Sequence, residues 1–245
     1  MNYVIVLAGG KGQRFGNAKV LKQFVELTGI PMLVYSLQTA QKNVNIDEIC
    51  VVTHETEQEK VKAWAKEYGI TKLKYFAKPG KERQQSVYSG LTAIPAKPRD
   101  TVMIMTSVCP FVSQKTIDKQ YEQIKTNDAS ITVVKATDAV TFSNDGKKVN
   151  RTLQKKKLYI QQGPQIFRYG ILLEGHKVYM EDEDYNKLDV TEDSELVLNL
   201  GVECAMVLGD RFCIKVTYPE DLAIAEALIG LFEEQERKYE AEKNH

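Results

Sequence analysis

The chain has 245 residues, 43% hydrophobic and 27% charged, with 33 basic residues against 33 acidic ones. The apolar fraction excludes general disorder, and the length suits one α/β domain with a large core rather than two full-sized domains. A formal net charge of zero gives no overall pull towards nucleic acid or an anionic membrane, so neither is expected as a partner.

In chain order, residues 3–7 form a short, nearly unbroken apolar run that stops at Gly9-Gly10, as a buried strand entering a glycine loop does. The start, Met1-Asn2-Tyr3-Val4-Ile5-Val6-Leu7, lacks the positive flank and cleavage site of a signal peptide. No stretch nears the roughly 20 apolar residues that span a bilayer, so a cytoplasmic protein is expected. Residues 32–41 predict a helix, with Leu33, Ser36, Leu37 and Ala40 on one face and Pro31 near its start. Residues 48–53 read as a second buried strand. Residues 57–68 read as a helix turning Val61, Trp64, Ala65 and Tyr68 inward, with Gly69 in the position a C-terminal cap prefers.

The alternation continues with a strand at 72–77, a helix at 83–93, a strand at 101–105, a helix at 114–126 capped by Ser113, and a strand at 129–136. It implies an α/β, Rossmann-like, mostly parallel sheet with helices on both faces, whose ligands sit beyond the carboxyl ends of the strands. The loops opening at Gly9, Lys78 and Thr106 should therefore line one cleft.

Residues 138–162 break the rhythm. Val140 and Phe142 on one side and Val149 on the other flank Asn144-Asp145-Gly146, a hairpin signal. The far limb carries Arg151, Lys155, Lys156 and Lys157. A two-stranded arm is marginal alone, so it either packs on something, such as a second subunit, or stands as a solvated hairpin with a lysine-rich edge. Residues 203–208 read as a strand, and Thr217-Tyr218-Pro219-Glu220 as a capping box opening a helix. The organisation expected is one domain over 1–230, including the arm 138–162, then a polar, frayed tail over 231–245.

Cys50, Cys109, Cys204 and Cys213 are scattered, with no Cys-x-x-Cys pair and no histidine at ligand spacing. Buried thiols are expected rather than a zinc site or a disulfide framework. His54, His176 and His245 are isolated as well, which leaves no histidine-based triad.

The segment Leu7-Ala8-Gly9-Gly10-Lys11-Gly12-Gln13-Arg14-Phe15-Gly16 carries the chemistry. Its glycines let backbone amides approach a phosphate chain. No Gly-Lys-Ser/Thr follows, so it is not a Walker loop, and Phe15 stands where a dinucleotide fingerprint needs its third glycine. Lys11, Arg14, Lys19 and Lys22 lie within twelve residues that contain no acid. A local +4 beside a glycine loop suits a nucleoside triphosphate and its transition-state charge; the alternative is a glycine turn with solvated lysines.

With Lys22-Gln23-Phe24-x-x-Leu27-x-Gly29-x-Pro31 following it, this segment resembles the opening of the nucleotidyltransferases, and within them the cytidylyltransferases acting on polyol phosphates. Two branches are close, the ribitol-5-phosphate enzymes of teichoic acid and capsule synthesis and the 2-C-methylerythritol-4-phosphate enzymes of isoprenoid synthesis. Glu82-Arg83-Gln84-Gln85-Ser86-Val87 is similar to the family's Arg-x-x-Ser-Val segment at the cytosine end. Gln162-Gly163-Pro164-Gln165-Ile166-Phe167 resembles the block after its arm, Thr191 the threonine of its Thr-Asp segment, and Ile214-Lys215-Val216-Thr217-x-Pro219-Glu220-Asp221-Leu222 its Ile-Lys-x-Thr-x-x-Glu-Asp-Leu block.

The resemblance implies a division of labour. Arg14, Lys22 and Lys215 would be catalytic. Leu7, Ala8, Gly9, Gly10, Lys11, Gly12, Gln13, Arg14, Phe15, Lys22, Arg83 and Ser86 would hold CTP, and Lys155, Thr191, Lys215 and Thr217 the polyol phosphate. Mg2+ would be the cofactor. A homodimer would form through the 138–162 arm, placing Lys155 where an arginine is usual; lysine keeps the charge without the bidentate fork. The phosphate nucleophile is already ionised, so positioning and electrostatics suffice without a dedicated base. Structural readings stand beside these: Arg83 and Ser86 opening a helix, and Thr217 acting as an N-cap. Lys215, inside what reads as an apolar strand, is harder to explain structurally.

The pattern breaks at the cleft. Where the family shows His-Asp-x-x-Arg-Pro, this chain has Met105-Thr106-Ser107-Val108-Cys109-Pro110, so Thr106 replaces the metal-positioning aspartate and Cys109 the arginine. Cys213 and Gly163 replace an asparagine and a threonine. A neutral hydroxyl is a poor ligand for a hard cation. The metal ligands stay open, with Asp210 or Asp193 as possible substitutes. The Leu-Ala-Gly-Gly opening and Lys-Gln-Phe favour the ribitol branch, since the methylerythritol enzymes usually begin Pro-Ala-Ala-Gly. The expected activity is transfer of CMP from CTP to D-ribitol 5-phosphate; the alternatives are the methylerythritol acceptor and a catalytically weak nucleotide-binding relative.

Overall fold

In the computed structural model, which describes residues 1–10, 15, 21–182 and 190–243, the first apolar run becomes β1 (Asn2–Leu7), the middle of the sheet. Two short antiparallel strands follow, β2 (Glu26–Leu27) and β3 (Ile30–Pro31). The alternation then proceeds as expected: α1 (Met32–Lys42), β4 (Glu48–Val52), α2 (Glu55–Glu67), β5 (Leu73–Ala77), α3 (Arg83–Ala93), β6 (Thr101–Thr106), α4 (Gln114–Gln123) and β7 (Ala129–Lys135). Gly69 closes α2 at φ +67°, and Ser113 caps α4 by accepting the Thr116 N–H at 3.2 Å.

The second half holds the hairpin β8 (Thr141–Phe142) and β9 (Arg151–Thr152), then β10 (Tyr159–Arg168), α5 (Tyr169–Glu181), α6 (Asp193–Asn199), β11 (Ala205–Leu208) and α7 (Glu220–Lys243). The seven-stranded sheet runs β11-β7-β10-β6-β1-β4-β5. Only β10 is antiparallel to its neighbours, so the sheet is mostly parallel.

Side chains alternate across β1, and each face has its own helices. Val4 and Val6 pack with Leu33, Leu37, Val61 and Ile117, whereas Tyr3 and Ile5 pack with Val87, Leu91, Leu172 and Val197. Both faces are covered, which is why β1 reads as an unbroken apolar run. Gly90 lets α3 close onto the sheet, since a Cβ there would stand 2.8 Å from Ile5 Cγ2. Register sets the cleft: Leu7 pairs with Val52 and Thr106, and Val52 with Ala77. The carboxyl ends of β1, β4, β5 and β6 therefore share one edge.

Several expectations change. The arm is shorter than 138–162, because 159–162 belong to β10 and pair with β7, Tyr159 facing Lys135. Residues 163–168, for which the sequence predicts no strand, continue β10, and a register shift between Gln162 and Gln165 accommodates Gly163-Pro164; bulges are where strands tolerate proline. The residues expected to fray continue α7 to Lys243. Glu236 accepts the Gln114 N–H at 3.1 Å, at the positive end of α4, and Asp118 accepts from Tyr239 at 2.9 Å and Lys243 at 2.7 Å. No strand forms around Lys215; that stretch is irregular and is tied down by Val216 N–H to the Val108 carbonyl at 2.9 Å. Among the described residues, no helix is long and apolar enough to cross a membrane.

Candidate active site

The mouth of β1 is pinned from three directions. The Ala8 N–H donates to Val52 O at 2.9 Å, the buried Gln23 amide donates to Ala8 O at 2.6 Å, and the Ser107 hydroxyl donates to Leu7 O at 2.7 Å. Gly9 is required by its neighbour, since a Cβ would lie 2.2 Å from Pro79 Cβ. The Pro79 loop is held in turn by α3: Ser86 Oγ accepts from Gly80 N–H at 3.0 Å and Gln85 Oε1 from Lys81 N–H at 2.8 Å. The loops at Gly9, Lys78 and Thr106 do line one edge. Gly10 has open space where a side chain would be. Lys11, Gly12, Gln13 and Arg14 lie outside the described residues. Phe15 is buried with Leu27, Met32, Phe111 and Val216.

Two cations from opposite ends of the chain converge here. Lys22 is half-buried on the turn that carries Gln23, and Lys215 is exposed, contrary to the buried strand position expected of it. The Cys213 thiol and both lysines favour the Cys109 thiolate, and together they outweigh burial, so the Cys109 thiol is lowered. Lys22 also favours the ionised form of Asp221. Thr217 does not cap α7 with its side chain; the Asp221 carboxylate, in the first turn, instead reaches back to accept the N–H groups of Thr217 at 2.7 Å and Tyr218 at 2.9 Å. These bonds hold Asp221 below the usual carboxylate range. The Thr217 hydroxyl donates to the Lys215 carbonyl at 3.1 Å, shaping the backbone that presents the lysine.

Arg83 and the segment bearing Thr191 are brought together, but Arg83 is engaged. Its Nη2 lies 2.5 Å from Asp193 Oδ2 and 3.3 Å from Glu192 Oε2. The fully buried Asp193 also bonds His176 Nε2 at 3.1 Å. Burial alone would raise the Asp193 carboxyl, but Arg83 and His176 outweigh it and hold the group well below the carboxylate range. Gln165 clamps the same corner, donating to Glu192 at 2.6 Å and accepting the Ser194 N–H at 3.2 Å. Ser86 spends its hydroxyl on Gly80 and on Glu82 O at 3.0 Å. Glu192, Asp193, His176 and Gln165 went unseen as a cluster in the sequence; the adjacent acids after Thr191 were the available signal. Lys155, in a turn at the foot of the arm, donates to Thr137 O at 3.1 Å.

The described donors do not fit a protein-held magnesium ion. Asp193 is consumed by Arg83 and His176, Thr106 is neutral, and Asp210 accepts from Phe212 N–H at 3.0 Å and Gln235 at 3.3 Å. Among the described residues no three His, Cys, Asp or Glu side chains gather as a metal site.

Comparison with known proteins agrees with this geometry. The profile of the family described as 2-C-methyl-D-erythritol 4-phosphate cytidylyltransferase (IspD) matches residues 2–231. The chain is 34% identical to the 2-C-methyl-D-erythritol 4-phosphate cytidylyltransferase of Clostridium novyi (strain NT), covering 93% of this chain and 96% of the relative. It is 35% identical to that of Geobacillus thermodenitrificans (strain NG80-2), covering 94% and 98%. Among solved structures, 4-diphosphocytidyl-2C-methyl-D-erythritolsynthase from Anaerococcus prevotii DSM 20548 superposes with a TM-score of 0.80 at 26% identity, over 94% of this chain and 96% of the other. The Francisella tularensis 2-C-methyl-D-erythritol 4-phosphate cytidylyltransferase gives 0.77 at 27%, over 91% and 97%.

Proposed function

The chain belongs to the 2-C-methyl-D-erythritol 4-phosphate cytidylyltransferase family, and we propose that it transfers CMP from CTP to 2-C-methyl-D-erythritol 4-phosphate, releasing pyrophosphate. The preference for ribitol 5-phosphate is withdrawn. It rested on Leu7-Ala8-Gly9-Gly10 and Lys22-Gln23-Phe24, where the Leu7 carbonyl, the Ala8 amide and carbonyl and the Gln23 side chain secure the strand-to-loop junction, a structural role that does not select an acceptor. Relatives bearing the methylerythritol name match over nearly the whole chain.

The action of both Lys22 and Lys215 on Cys109, at the turn after β6, supports this reading. Lys22, with Arg14 and Lys11, takes the triphosphate, and the amides of Gly9 and Gly10 approach it. Lys215, with Thr191 and Thr217, takes the acceptor phosphate. An acceptor oxygen then attacks the α-phosphorus in line with the leaving pyrophosphate, and the lysines stabilise the charge that spreads over the phosphoryl oxygens. No side chain need remove a proton, because the acceptor phosphate is ionised at neutral pH. A second copy of the chain, docked through the hairpin, brings its lysine 155 to the acceptor.

Pyrophosphate release with CTP and a panel of polyol phosphates tests the proposal. Release is expected with 2-C-methyl-D-erythritol 4-phosphate, and Lys22→Ala and Lys215→Ala should each lower kcat/KM by about 10²–10³-fold. A rate found only with ribitol 5-phosphate would return the acceptor to the other branch. Thr106 and Cys109, which stand where the family resemblance calls for an acid and an arginine, favour one rival, a nucleotide-binding protein with little turnover. CTP binding without release for any acceptor would establish it.

A further inference from the structure

Two of the four cysteines meet inside the cleft. Cys109 is buried on the turn after β6, where its N–H donates to Thr106 O at 3.0 Å. Cys213 arrives on the irregular segment between β11 and α7. That segment is laid against the turn by the 2.9 Å bond from Val216 N–H to Val108 O, and against β10 by the Gln162 amide, which donates to Asp210 O and Cys213 O at 3.1 Å each. The half-buried Cys213 thiol faces the Gly163 carbonyl at 3.4 Å and interacts directly with the Cys109 sulfur. Both are free thiols, as are Cys50, buried on β4, and Cys204, ahead of β11.

The two sulfurs are chemically unequal. The Cys213 thiol, with Lys215 and Lys22, lowers Cys109 against its burial; the same contact, burial and Asp210 raise Cys213. Cys109 is therefore the thiol that loses its proton more readily, and Cys213 the one that keeps it. A thiolate within reach of a second thiol is what disulfide chemistry requires.

We propose that Cys109 and Cys213 form a reversible dithiol–disulfide pair in the wall of the nucleotide cleft, oxidised by hydrogen peroxide. The Cys109 thiolate attacks one peroxide oxygen, the O–O bond breaks, and hydroxide leaves and takes up a proton as water; Cys109 now carries S–OH. The Cys213 sulfur gives up its proton and attacks the Cys109 sulfur. The S–O bond breaks and its hydroxyl departs with that proton as a second water. Two thiols and one peroxide become one disulfide and two waters, the sulfurs losing the two electrons that the peroxide gains. A dithiol reductant reverses the change by exchange. The bond removes the ionisable Cys109 sulfur from the influence of Lys22 and Lys215 and fastens the Lys215 segment to the β6 turn. Its effect on catalysis, a fall in kcat/KM of about tenfold or more through displaced Lys215, rests on the cytidylyl-transfer reading; the bond itself does not.

The full-length protein, reduced and then titrated with hydrogen peroxide, is alkylated, digested and mapped by mass spectrometry. A linked peptide pair joining Cys109 to Cys213 is expected, lighter by two hydrogens and reopened by dithiothreitol, with Cys50 and Cys204 still alkylated. In Cys213→Ser, Cys109 should be trapped as a sulfenic acid that dimedone labels. Cys109 left as a free thiol while Cys50 or Cys204 oxidises, or Cys109 carried to sulfinic acid without linkage in the wild type, overturns the proposal. Pyrophosphate release is measured on the same samples. A linked pair in a protein whose reduced form releases none would refute the transfer reading and leave the dithiol pair standing.

Discussion

Replacing Asp193 with asparagine keeps the side chain's shape and removes its charge. The carboxylate is fully buried, while the Arg83 side chain that it binds at 2.5 Å is 29% exposed and keeps Glu192 at 3.3 Å. Removing one partner of a buried ion pair costs about 3–5 kcal/mol. With Glu192 still in place, the lower end applies, about 3 kcal/mol. For a chain of this size that corresponds to a fall in Tm of about 6–12 °C. Urea unfolding followed by circular dichroism measures it directly. Arg83→Met in the Asp193→Asn background should recover much of the loss, giving a coupling energy of about 2 kcal/mol, because no buried charge then lacks a partner. The pH dependence has a definite sign. The folded-state carboxyl lies below its unfolded value of about 3.9, so its contribution is complete above that value and is lost as pH falls below it towards the folded one. The wild type should therefore lead the variant by a constant margin from neutral pH to about pH 5, and the margin should shrink below about pH 4. A loss under about 1 kcal/mol, simple additivity with Arg83→Met, or a margin that widens in acid would refute this account.

Gly9→Ala places a methyl 2.2 Å from Pro79 Cβ. A rigid ring cannot retreat without moving its loop, so a loss of about 1–3 kcal/mol and weaker CTP binding by calorimetry are expected; wild-type values for both would show that the contact does not matter. Asp118→Ala removes the acceptor shared by Asn43 at 2.8 Å, Asn45 at 3.1 Å, Tyr239 and Lys243. It should cost about 1–3 kcal/mol and expose the end of α7 to limited proteolysis, and cleavage at the wild-type rate would count against the docking described. Thr106→Asp restores a hard ligand at the end of β6. Half-maximal pyrophosphate release should then need about tenfold less magnesium, a gain of roughly 1.4 kcal/mol in cation affinity; an unchanged requirement means the lost carboxylate is not what limits metal use.

Strands β1, β4, β5, β6 and β7 and helices α1 to α4 were legible because their signals are local, whereas the two-residue strands β2 and β3 were not. Val4, Ile5 and Val6 declare a strand covered on both faces, and the spacing of Leu33, Leu37 and Ala40 declares a helix with one buried side. The placement of the cleft beyond the carboxyl ends of the strands likewise followed from strand–helix alternation, whereas Lys11, Gly12, Arg14 and Lys19 of the glycine segment lie outside the described residues. Strand β10 was not legible, since its first residues read as part of the arm and it is defined only by pairing with β7 and β6 on either side. The polar end of α7 looked solvent-bound until α4 supplied Gln114 and Asp118 as partners.

At the site the division is the same. Arg83 resembles a ligand-binding arginine in its own segment, yet its partner Asp193 lies on a different element and claims it. Cys109 and Cys213 are unremarkable thiols in the sequence and become a pair only where the β6 turn meets the segment before α7. Periodicity, capping and loop chemistry are interactions among neighbours along the chain, so order alone determines them. Ion pairs, shared protons and the joint action of Lys22 and Lys215 on Cys109 depend on which distant segments the sheet sets side by side, and only the folded arrangement decides that.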